Sequence, residues 1–293
     1  MKDASKLVAY FVATIVIGAL FAPILFWSAK WLATHGILPF LAKYDFETFF
    51  HRALLVAAVL LLWPLLRLTH VRSLADLGLA PNSRWGRDVA AGIIISIVPL
   101  LFCGVLLIAF HIYAIRHNIA WPRFGKMLLA SMAVPFIEEA FFRGIILGVL
   151  LRTGRKHIAI VATSLIFAVV HFLKAPERTS EVVTWTSGFR SIVHAFDGIG
   201  DPLVVGLALA TLFLIGLILA DARVVTHSLW LPIGLHAGWI FGSGAFTKLA
   251  RQQVLMFPWI GKNMLVGVIP IGLAVVTWLI IRAWLKYDRD PHV

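Results

Sequence analysis

Apolar runs of about twenty residues or more recur along most of this chain, and nothing constrains its fold more. A stretch of that length is what a helix needs to cross the hydrocarbon layer of a bilayer. The strict alternation of a membrane β-barrel strand is absent, so the spans are read as helices, whose backbone groups are satisfied within each segment. With 60% hydrophobic and only 14% charged residues among 293, the expected fold class is all-α: a polytopic integral membrane protein of about eight transmembrane helices.

In chain order the expected spans run from about Leu7 to Leu32, Phe49 to Leu68, Val89 to Tyr113, Met127 to Leu151, His157 to Leu173, Pro202 to Ala220, His227 to Phe246 and Met264 to Trp284. Pro23 and Pro64 are expected to kink the first two. Ser73 to Leu79 reads as a short amphipathic turn closed by Pro81 and Asn82, and Gly154 as a helix terminator. The longest polar insertion, Lys174 to Asp201, still holds Trp185, Phe189, Ile192, Val193 and Phe196 at a spacing that suits an amphipathic helix at the interface. The first apolar run is long for a secretory signal and no cleavage site follows it, so it is expected to remain as an uncleaved span.

Net charge is +12, yet a nucleic-acid partner is not expected. Lys and Arg gather at the ends of apolar runs, as membrane anchors do, and no basic stripe interleaves with aromatics. They divide almost evenly between the two sides of an eight-span layout, leaning slightly to cytoplasmic termini. The single cysteine, Cys103, excludes an intramolecular disulfide and a cysteine-based metal cluster.

One run breaks the apolar rule. Phe136-Ile137-Glu138-Glu139-Ala140-Phe141-Phe142-Arg143-Gly144 places two carboxylates and a guanidinium inside the fourth span. Ionised groups there cost about 2.5–3.5 kcal/mol each on insertion scales, so either a structural ion pair or a buried catalytic site is required. Glu139 and Arg143, four apart with the acid first, are expected to pair on one helix face. Glu138 lies about 100° around the helix, and its plus-three and plus-four positions are Phe141 and Phe142. Its partner must come from another helix. Two histidines inside apolar spans, His171 and His236, are the candidates. Two Glu and two His could ligate zinc, or Glu138 and His171 could activate a water without metal, with a further donor at the oxyanion. The His-Glu-x-x-His helix of zincins and the Gly-x-Ser-x-Gly elbow are both absent.

Glu138-Glu139 with Arg143, Phe167 with His171, and His236 within Ser228-Leu229-Trp230-Leu231-Pro232-Ile233-Gly234-Leu235-His236 resemble the successive motifs of the CPBP family. Those are the CAAX-protease and bacteriocin-processing intramembrane proteases, also called Abi or Rce1-like. The resemblance implies a division into N-terminal spans (1–122), a protease core (123–246) and a C-terminal helix with a charged tail (247–293). It implies an intramembrane endopeptidase of the CAAX prenyl protease 2 type, in which Glu138 and His171 activate the hydrolytic water and His236 helps bind the oxyanion. Glu139, Arg143 and Phe167 would support the site. No cofactor is favoured. Were the enzyme metal-dependent, Glu138, Glu139, His171 and His236 would hold zinc.

The expected partners are a membrane-tethered protein or peptide substrate and the lipid bilayer, in a bacterial inner membrane. The family often carries Asn four residues after the last His, and Ile240 stands there, with no side-chain donor. Two other readings suit the same residues: a non-catalytic membrane scaffold or bacteriocin-immunity protein, in which the charged cluster is structural glue, and a proton-coupled transporter using Glu138. The transporter would call for inverted repeats, of which the sequence has no sign.

Overall fold

The computed structural model describes residues 2–119, 121–172, 182–194, 201–261 and 264–288. Its described residues are overwhelmingly helical and fall into two compact units, Met1–Arg72 with His171–Gly200, and Ser73–Val170 with Asp201–Val293.

The first unit is built on α1 (Lys2–Thr34) and α2 (Phe46–Leu68), joined through a 3-10 turn at Pro39–Lys43. Small residues let the two helices approach closely. Ala19, Ala22 and Ala53 pack with Phe46 and Phe50, and a Cβ on Gly18 would lie 2.9 Å from the Leu54 Cα. Both α1 and α2 run unbroken through the prolines at 23 and 64. The amphipathic helix expected in the polar insertion is α8 (Ser187–His194). It crosses α1 so tightly that a Cβ on Gly188 would collide with the Ala19 carbonyl oxygen. Trp185 packs edge-on against Trp27, while Phe196 lies outside the described residues.

The second unit opens on α3 (Leu74–Leu77). Ser73 and Asp76 form a reciprocal capping box over its first turn, and Gly78 ends it at φ +82°. Next come α4 (Trp85–Ala109), β1 (Tyr113–Ile115) and α5 (Pro122–Glu139). A π-helical segment, Ala140–Ile146, carries the chain into α6 (Leu147–Leu151), followed by α7 (Lys156–Phe172). The unit is completed by α9 (Pro202–Thr226), α10 (Trp230–Leu249), β2 (Ala250–Gln252) and α11 (Val268–Asp288). The two short strands pair antiparallel, Tyr113 opposite Gln252, and tie the loop after α4 to the end of α10.

Helix α10 is set by glycines. A Cβ on Gly234 would collide with the Val89 carbonyl oxygen, one on Gly238 would lie 2.8 Å from that of Ile93, and one on Gly92 2.6 Å from the Leu235 nitrogen. Helices α4 and α10 therefore touch backbone to backbone along a seam that only glycine permits. His236 lies midway between Gly234 and Gly238, about 200° around the helix from each, so the seam turns it away from α4 and toward α5. On α9, Asp221 accepts from the Trp278 indole at 3.0 Å and from Arg282 at 2.8 Å, which seats α11.

Five helices are long and apolar enough to cross a membrane: Asp3–Thr34, Phe46–Leu68, Trp85–Ala109, Pro202–Thr226 and Val268–Tyr287. Leu60, Phe102 and Val105 on these helices are each more than 60% exposed. Such surface suits acyl chains and not water. The protein is an integral membrane protein. One expectation needs correction: His227 does not share a continuous helix with His236. It caps the end of α9 at φ +54°, and α10 begins only at Trp230.

Candidate active site

Helix α5 delivers the two carboxylates through a stretch weakened twice. Pro135 has no N–H to give the Ser131 carbonyl one turn back. Beyond Glu139 the helix widens into the π-helical segment, a rare geometry found chiefly as a bulge at functional sites. Arg143 sits within that segment, and it and Glu139 are fully buried.

The expected Glu139–Arg143 pair is present. Arg143 Nη1 donates to Glu139 Oε1 at 2.7 Å and Nη2 to the Gly216 carbonyl of α9 at 3.3 Å. The guanidinium also lies over the Phe167 ring, 4.4 Å from its centroid, a favourable stacking for a desolvated cation. Phe167 is itself buried and packs edge-on against Phe142 and against the His236 ring. One phenyl ring from α7 thus contacts both the cation and the histidine.

His236 Nδ1 lies 2.8 Å from Glu139 Oε1. A carboxylate ion-paired to arginine only accepts, so Nδ1 carries a proton and donates it. That fixes the ring's orientation and leaves Nε2 for chemistry, the arrangement by which a buried acid commonly orients a catalytic histidine. Nε2 faces Glu138 Oε2 at 3.8 Å, too far for a direct hydrogen bond. The Glu138 side chain is about a quarter exposed, against 8% for His236 and none for Glu139 or Arg143. The two adjacent carboxylates therefore differ: one is committed at the bottom of the cluster, the other stands at its open edge.

An apolar roof covers the cluster on the α3 side. Leu79, Leu229 and Ile233 are buried together, with Leu77, Trp230 and Ala140 packed on them. Ala140 is the neighbour of Glu139 and Ile233 lies one turn before His236. The Leu229 N–H donates to the Gly78 carbonyl at 2.9 Å, and a Cβ on Gly144 would meet Leu77 at 3.3 Å. The α3 turn is thereby held over the π-helical segment, sealing water from that direction.

Among the sequence-derived candidates, Glu138, Glu139, Arg143, Phe167 and His236 converge. His171 stands four residues past Phe167 near the end of α7 and belongs to the first unit. Ile240, one turn beyond His236 on α10, is partly buried and brings no polar atom. Three parts of the cluster were not foreseen. The Gly216 carbonyl is a backbone group and has no side-chain signature. The Glu139–His236 hydrogen bond joins helices nearly a hundred residues apart. The π-helical turn preserves the four-residue spacing that reads as ordinary helix.

Glu139 Oε1 is shared by Arg143 and His236 Nδ1, and among the described residues no group of three His, Cys, Asp or Glu side chains is arranged to hold a metal ion.

Residues 119–242 match the family model described as type II CAAX prenyl endopeptidase Rce1-like. The matched range contains every residue of the cluster. No curated protein and no solved structure matches the chain.

Proposed function

We propose that this chain, Rce1-like through residues 119–242, hydrolyses a peptide bond of a membrane-tethered protein or peptide at a site sunk in the bilayer. The observation that carries the proposal is the pair of carboxylates in unlike surroundings, with Glu138 Oε2 3.8 Å from His236 Nε2 while Glu139 is neutralised by Arg143. The ion pair commits the second carboxylate, while the first stands partly open beside His236 Nε2, where acid–base work needs it.

In the proposed reaction Glu138 takes a proton from a water as its oxygen attacks the scissile carbonyl. His236, held by Glu139 and protonated on both nitrogens, donates from Nε2 to the oxyanion that forms. Collapse of the tetrahedral intermediate breaks the C–N bond, and the proton held by Glu138 passes to the leaving amine. The part of His171, as the second group that activates the water, rests on the sequence motif. Water is the nucleophile, and no metal is invoked.

The proposed topology has eight crossing segments. To the five apolar helices it adds the stretch from α5 through α6, about 45 Å at 1.5 Å per residue, together with α7 and α10. A bacterial inner membrane is the setting proposed from the sequence.

One observation favours a non-catalytic scaffold as a second reading: Ile240 where a donor would serve the oxyanion. Glu138→Gln separates the two. The variant is expected to fold and melt like the parent while cleavage of a membrane-tethered reporter peptide falls by at least about 10³-fold, in the range seen when a general base is lost with its partners in place. Cleavage unchanged in Glu138→Gln would sink the assignment.

A further inference from the structure

Arg223 plays no part in the cluster, yet its surroundings demand a partner for it. It lies three residues before the end of α9. Gly216, whose carbonyl receives Arg143, is two turns earlier, so Arg223 shares that inward face about 10 Å nearer the α3 side. Its guanidinium lies against Gly78. A Cβ there would stand 2.6 Å from Nη2 and 2.7 Å from Cζ, so glycine at the end of α3 makes the space the side chain fills. Arg223 Nε is buried without a hydrogen-bond partner, and among the described residues no acceptor takes any of its N–H groups. A guanidinium has five donors, and leaving the buried Nε–H unmatched is costly. An anion from outside the described chain would supply its acceptor.

The corner around Arg223 is basic. Leu150, Leu151, Ala159, Ala220 and Val224 pack together, so the end of α6, the start of α7 and the end of α9 meet here. The loop between α6 and α7 brings Arg155 and Lys156, both exposed, and neither side chain has an ion-pair partner among the described residues. Asp221, the acid closest in sequence to Arg223, is engaged by Trp278 and Arg282 of α11. The corner also sits where aromatic residues mark a membrane interface. The Trp230 indole donates to the Ala80 carbonyl at 3.2 Å, with the ring of the half-exposed Trp85 5.6 Å away.

We propose that this corner binds the phosphate of an anionic phospholipid. Arg223 forks onto the phosphate oxygens from the protein side, and Arg155 and Lys156 close on it from the rim. A planar guanidinium suits a phosphate bidentately. A basic pocket at the end of membrane helices draws anionic headgroups, at about 1 kcal/mol per cation, which is about fivefold in binding. Three cations without counter-charge select a headgroup of net negative charge over a zwitterionic one.

The test uses the full chain in neutral detergent, titrated with phosphatidylglycerol or phosphatidylcholine, with bound lipid read by native mass spectrometry and unfolding by a thermal melt. Phosphatidylglycerol is expected to be retained at least about fivefold more than phosphatidylcholine and to raise the melting temperature. Arg223→Gln should cut that retention about fivefold and remove the rise. The rim variant Arg155→Gln/Lys156→Gln changes only exposed side chains and keeps the test decisive if Arg223→Gln folds poorly. Equal retention of the two lipids, or full phosphatidylglycerol retention by either variant, overturns the proposal. So does a melting rise produced by a peptide with a free C-terminal carboxylate, lost in Arg223→Gln, with no effect of lipid. Neither readout involves cleavage, so the result stands apart from the proposed protease activity.

Discussion

Arg143→Met tests whether the buried pair is one unit. The guanidinium is fully buried, holds Glu139 at 2.7 Å, donates to the Gly216 carbonyl and stacks on Phe167. Methionine fills much of the volume but leaves Glu139 as a buried anion whose remaining partner is His236. Breaking a buried pair from one side costs about 3–5 kcal/mol. The His236 Nδ1 donor offsets part of the loss and argues for the lower half of that range. At about 2–4 °C per kcal/mol for a domain of this size, a melt in detergent should fall by about 10 °C. The double variant Arg143→Met/Glu139→Gln removes both charges and keeps a carbonyl acceptor for His236. It should regain more than half of the loss, since replacing a whole buried pair with neutral groups is often nearly free. A single variant that melts within about 2 °C of the parent would refute the reasoning. A double variant no more stable than the single would do the same, because the damage would then lie in lost packing and not in a stranded charge.

Other outcomes follow from neighbouring contacts. Gly234→Ala should destabilise by at least about 2–3 kcal/mol, an overpacking cost at the upper end of the usual range, because its Cβ would collide with the Val89 carbonyl oxygen; an unshifted melt would show that the α4–α10 seam is looser than the structure has it. Ile240→Asn supplies a side-chain donor one turn beyond His236, and reporter cleavage should rise by about tenfold or more, since one oxyanion donor is commonly worth 10²–10³ in rate. Unchanged cleavage in a folded Ile240→Asn protein would remove that position from the oxyanion site.

The sequence made the local part of this site legible and hid the part that depends on helix rotation. Glu139 and Arg143 could be paired because four residues bring side chains onto one helix face. Phe167 and His236 could be named because their motif resembles a family's. That His236 turns its Nδ1 to Glu139 is a consequence of Gly234 and Gly238 pressing α10 against α4. A single sequence shows those glycines without showing which helix they face. The break at His227 was hidden for a similar reason: a non-glycine residue at φ +54° has little sequence signal within a continuous apolar stretch. The pairing of Tyr113–Ile115 with Ala250–Gln252 joins three-residue segments too short to leave an alternating pattern. Gly78 was read only as part of a short turn, while in the structure its missing side chain admits Arg223.

The two readings of the charged cluster can be weighed residue by residue. Structural glue explains most of Arg143, Glu139 and Phe167: each is buried and each touches the next, with Glu139 Oε2 and Arg143 Nε left without a hydrogen-bond partner. It explains His236 in part, through the Nδ1 donor. Glu138 is the member of the cluster that stays partly open, with its carboxylate beside His236 Nε2, at a depth where charges are costly. An endopeptidase needs such a group: one carboxylate that solvent or substrate can reach, beside a histidine nitrogen whose protonation is set from behind. Glu138→Gln therefore carries different expectations for stability under the two readings as well as for cleavage. If the cluster is catalytic, Glu138→Gln should abolish hydrolysis while the melt stays within a few degrees of the parent. If Glu138 is glue, the melt should fall.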